Sequence, residues 1–70
     1  MYLPVFSFLV DLSKKEEVIK LADACEFADE DVTYIASTSF IRFKLNNYTL
    51  RQLAYFFGRL GQADIEFDIV

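Results

Sequence analysis

The sequence predicts an α+β fold with the element order β-α-β-β-α-β. Two helix-start boxes carry that reading, Ser13-Lys14-Lys15-Glu16 and Thr49-Leu50-Arg51-Gln52. In each, a hydroxyl is placed to accept from the backbone N–H three residues on, while Glu16 or Gln52 reaches back to the cap residue. Four apolar, strand-like runs surround the boxes, so each half of the chain reads as strand, capped helix, strand. Seventy residues allow a single domain, 1–70.

The first strand is predicted over residues 4–10. It is apolar on both faces apart from Ser7, as expected of a strand inside a sheet. Pro4 has no N–H to give a ladder and belongs at the strand's start. Helix one is predicted from Ser13 to about Cys25, with Val18, Leu21, Ala22 and Cys25 on one face. Glu16 and Lys20 stand four apart with the acid first, the favourable order. Asp29-Glu30-Asp31 then forms a polar loop.

Residues 32–37 and 39–45 predict a hairpin. Ile41, Phe43 and Leu45 alternate with Phe40, Arg42 and Lys44, so one set faces the core and the other faces away. Asn46-Asn47 makes the next turn. Tyr48 and Leu53 are placed to staple the start of helix two around the Thr49 cap. Leu50, Leu53, Ala54, Phe57 and Leu60 are predicted to line that helix's inner face, and Gly61 to end it in a left-handed conformation. The last strand is predicted over residues 63–70, with Asp64, Glu66 and Asp68 alternating against Ala63, Ile65, Phe67 and Ile69.

Four strands and two helices in this order resemble the ferredoxin-like split β-α-β plait, a four-stranded antiparallel sheet of order 4-1-3-2 with both helices on one face. That order puts the two-sided first strand inside the sheet. It makes the fourth strand an edge, where three acids discourage edge-to-edge pairing. The second face of the sheet is left without a cover. Phe40, Arg42 and Lys44 are expected there from strand three. Strand one adds either Phe6 and Phe8 or Val5, Ser7 and Leu9. We take Phe6, Phe8, Phe40, Arg42 and Lys44 as the candidate partner-binding residues, because an apolar patch ringed by charge is a common mark of a protein–protein surface.

Composition points the same way. A chain this short buries only roughly 60% of its unfolded surface, and small scaffolds usually add disulfides, a metal or a partner. Cys25 is the single cysteine and there is no histidine, so neither an internal disulfide nor a structural zinc site is expected, and no cofactor is implied. Burial against a protein partner or a second copy, as a homodimer, remains. The apolar start lacks a basic flank and is too short to span a bilayer, which with the lone cysteine gives a cytoplasmic expectation and no membrane partner.

The net charge of −4 disfavours direct nucleic-acid binding. RNA-recognition domains share the plait and stack bases on central-strand aromatics, but the glycines of their strand-three motif are absent from Phe40-Ile41-Arg42-Phe43. Amino-acid-binding ACT domains share its length and strand order; they place glycine near the first turn, where this chain has Val10-Asp11-Leu12-Ser13. No catalytic set is visible, and an enzyme is not expected. Cys25 lies on the apolar helical stripe, the usual place of an inert thiol. The alternative function is an acidic phage-type inhibitor, a nucleic-acid mimic acting through Glu26, Asp29, Glu30 and Asp31.

Overall fold

The computed structural model describes residues 4–70; the apolar start at Met1, Tyr2 and Leu3 lies outside the described residues. The chain runs through β1 (Phe6–Asp11), a 3-10 turn (Leu12–Lys14), α1 (Lys15–Ala24) and a second 3-10 turn (Asp29–Asp31). It continues through β2 (Val32–Ala36), β3 (Phe40–Leu45), α2 (Leu50–Gln62) and β4 (Phe67–Ile69). The strands form one antiparallel sheet of order β2-β3-β1-β4, the expected 4-1-3-2 order met from the other edge.

Alternation along the strands decides what is inside. Phe8 and Val10 of β1 and Ile41, Phe43 and Leu45 of β3 are buried, together with Val18, Ala22 and Cys25 from the first helix and its end and Phe56 and Leu60 from α2. Both helices therefore cover the same face. The interior is built largely from aromatic rings. Phe8 stacks on Phe43 with centroids 5.5 Å apart and meets Phe56 at 5.7 Å. Phe57 stacks on Phe67 at 4.6 Å, tying α2 to the edge strand. Tyr48 brings a hydroxyl into this core, and it donates to the Pro4 carbonyl at 2.7 Å.

The second helix-start box forms as expected. Thr49 Oγ1 accepts from Gln52 N–H, and Gln52 Oε1 accepts from Thr49 N–H. The first does not. Asp11 is the cap instead: its carboxylate accepts the N–H and the hydroxyl of Ser13, opening the 3-10 turn, and Lys14 precedes α1 without a side-chain cap. A charged carboxylate two residues upstream is the stronger acceptor, and it turns Ser13 from acceptor to donor.

The inner face of α2 is also rotated from expectation. It is centred on Leu53, Phe56, Phe57 and Leu60, while Leu50 is 69% exposed and Ala54 is exposed. At about 100° per residue, Leu50 lies about 70° and Ala54 about 110° from the middle of that stripe.

Gly61 does not end α2, which continues to Gln62, and no described glycine has a positive φ. Asp64 takes the left-handed position with φ 56°. Its N–H donates to the Gly61 carbonyl and that of Ile65 to the Leu60 carbonyl, a Schellman closure. Residues 63–65 are thus used by the helix end, so β4 starts at Phe67 and is shorter than the expected 63–70.

An open sheet face as the candidate site

The uncovered face is built from residues that alternate with the core. Pairing sets them in rows across the sheet. Arg42 lies between Ile35 of β2 and Leu9 of β1, and Leu9 in turn pairs with Asp68 of β4. One row along, Lys44 lies between Thr33 and Ser7. On the other side Phe40 pairs with Asp11. Ile35 is 68% exposed and Phe40 47%, while Leu9 is half-buried between its neighbours.

Phe40, Arg42 and Lys44 lie on this face. Phe6 and Phe8 do not: Phe8 is 0% exposed, and Phe6 is half-buried against Tyr48 and Phe57 on the helix side. The reason is register. Phe8 pairs with Phe43, and side chains paired across an antiparallel ladder share a face. β1 therefore shows Ser7 and Leu9 outward. Sequence reasoning also missed Ile35 as a site residue, although its place one step from Tyr34 and opposite Arg42 was set by the hairpin.

Charge is divided across the face. Arg42 and Lys44 make a positive stripe on β3, and Asp68 lies at the β4 edge. The single ion pair among the described residues is Lys14–Glu17 at 3.7 Å, so the cations of the face are not neutralised within the chain. Asp11 is held otherwise: the hydroxyl and N–H of Ser13 keep its carboxyl below the usual carboxylate range.

The acidic residues named as the alternative site are only partly free. Asp29, Glu30 and Asp31 share one 3-10 turn. Asp31 is half-buried and accepts from Asn47 Nδ2 at 2.9 Å. Glu26 ends α1 with φ 66°, and its carbonyl accepts from Gln52 Nε2. Glu26 thus serves the fold through its backbone, and Glu26, Asp29 and Glu30 keep exposed carboxylates without such a partner.

Cys25 is 5% exposed, and burial pushes its thiol pKa up. Among the described residues, no three His, Cys, Asp or Glu side chains gather as a metal site, and no helix is long and apolar enough to cross a membrane. Compared with known proteins, the chain matches no protein-family model and no curated protein sequence.

Proposed function

We propose that the chain is a non-enzymatic interaction module that docks a partner protein through the open face of its sheet. The observation that supports this is the exposed group of Ile35, Arg42 and Phe40 around half-buried Leu9, on a face that none of the described residues covers. An arginine and an aromatic ring among aliphatic side chains is the composition of interface anchors. The partner surface that fits is apolar at its centre, with carboxylates placed to meet Arg42 and Lys44. Electrostatic pairing of that kind sets orientation and encounter rate more than total affinity.

The test places a photo-crosslinking residue at Phe40 in the full chain, and separately at Tyr55, an exposed residue of α2. A discrete adduct from position 40 that is absent from position 55 and disappears in Arg42→Glu supports the reading. Equal labelling from both positions, or none from position 40, overturns it. The acidic-mimic reading makes a different demand, a basic partner whose binding falls steeply with added salt. It has less support, since the Asp31 carboxylate is half-buried and bonded to Asn47.

A further inference from the structure

The two edges of the sheet differ in kind. β4 is three residues long and is flanked or occupied by Asp64, Glu66 and Asp68. Shortness and charge are what keep an edge from pairing. β2 has neither defence. Its five residues, Val32-Thr33-Tyr34-Ile35-Ala36, include no charge and no proline, and the last four are exposed.

The phase of its backbone is fixed by the bonds at its ends. Asn46 N–H donates to the Asp31 carbonyl and Ser37 N–H to the Phe40 carbonyl, each at 2.8 Å. Successive residues of an antiparallel ladder turn their backbone groups alternately to either side. Thr33 and Ile35 therefore bond toward β3, and Tyr34 and Ala36 point their N–H and C=O groups out of the sheet, as Val32 does its C=O. The Val32 N–H is already taken by the Asp29 carbonyl. The outward positions are evenly spaced about Tyr34. The Tyr34 ring does not obstruct them, for it leans toward β3, 5.5 Å from the Phe43 ring, with the Lys15 ammonium 4.7 Å from its own centroid.

We infer that β2 pairs antiparallel with β2 of a second copy about a two-fold axis at Tyr34, joining two four-stranded sheets into one of eight strands. In that register Tyr34 meets Tyr34 and Val32 meets Ala36, so the N–H and C=O of Tyr34 gain partners and the Ala36 N–H gains the Val32 carbonyl of the second copy. Asp31 falls beside the hydroxyl-bearing Ser37 of the second copy. The two acidic Asp29–Asp31 turns go to opposite ends of the joint, whereas a parallel joint would set them side by side. A different protein's strand would have to match this spacing; a second copy does so by symmetry.

This inference does not rest on the proposed function, but it bears on it. With strands about 4.8 Å apart, the outer axes of one sheet are about 14 Å apart, and those of the joined sheet about 34 Å. Stable interfaces take about 800 Å² from each partner. Joining the edges makes the two open faces one continuous surface nearer that size.

Light scattering and amide hydrogen exchange on the full chain, across a range of concentrations, test the joint. The expected result is a mass twice that of the chain at high concentration, with the amides of Tyr34 and Ala36 slowing by about tenfold or more relative to the dilute protein. Ala36→Pro removes one outward N–H without touching the β3 ladder and is expected to give a folded monomer. A monomer at every concentration overturns the inference. So does a dimer in which those two amides exchange as they do in the monomer. If Ala36→Pro does not fold, the exchange measurement on the unaltered chain decides.

Discussion

Glu26 and Asp64 hold the same place in the two halves of the chain: each is the left-handed residue that closes a helix. Glu26 has φ 66° and Asp64 φ 56°. Glu26 N–H donates to the Asp23 carbonyl and Phe27 N–H to that of Ala22, as Asp64 and Ile65 do to Gly61 and Leu60. In both, the next residue is buried, Phe27 at one end and Ile65 at the other. The same closure thus ends each helix and turns the chain back into the core.

A side chain in that conformation carries a steric cost which glycine avoids. Glu26→Gly and Asp64→Gly are each expected to raise stability by about 1 kcal/mol, and the pair to add. Urea unfolding of the two single variants and the double variant checks this. Lower midpoints would mean that the carboxylates contribute more than the backbone strain removes.

Gly58 is the opposite case, a glycine inside α2 with open space where a Cβ would stand. Gly58→Ala should stabilise by about 0.8–1.0 kcal/mol through helix propensity alone. A loss of stability on urea unfolding would show that something packs there.

Phe56 and Phe40 separate core from site. Phe56→Ala removes a fully buried ring and is expected to cost about 3–5 kcal/mol, a large part of what holds so small a domain together. Phe40→Ala should change stability by no more than about 0.5 kcal/mol. Similar costs for both would mean that the face carrying Phe40 is packed against something.

Asp11 should titrate low. Its folded pKa is depressed, first by the Ser13 hydroxyl and then by the Ser13 N–H, so its contribution to stability is present above the ordinary carboxylate pKa. That contribution is lost as pH falls through the depressed folded value. Carbon-detected NMR titration of the Asp11 carboxyl reads this directly, and Ser13→Ala should move it back toward the usual range. An unmoved titration would remove the hydroxyl as the cause.

Helix number and the inward set Ile41, Phe43 and Leu45 were legible because alternation and helical period are written residue by residue; the strand order was legible only through the resemblance of the element order to the plait. The Thr49–Gln52 box was legible for the same reason: both partners lie within one turn. What failed was decided by competition. Ser13 lost the cap to Asp11, and Gly61 looked like a helix end although Asp64 took the left-handed turn at a position where its type gives only a weak signal. For the site, β3 declared its outward residues by clean alternation. The aromatic-rich β1 did not, since Phe6, Phe8 and Leu9 all suit a core, and only the pairing of Phe8 with Phe43 decides between them.

The central claim is that the open sheet face binds a partner protein, and the most direct measurement is the affinity of the purified chain for the protein crosslinked through position 40. Titrations compare the unaltered chain with Phe40→Asp, Ile35→Asp and Tyr55→Asp, each first shown to keep its urea midpoint. The account predicts that the first two lose about 30-fold or more in affinity, as an interface anchor does, and that Tyr55→Asp binds normally. Unchanged affinity in Phe40→Asp and Ile35→Asp would contradict it.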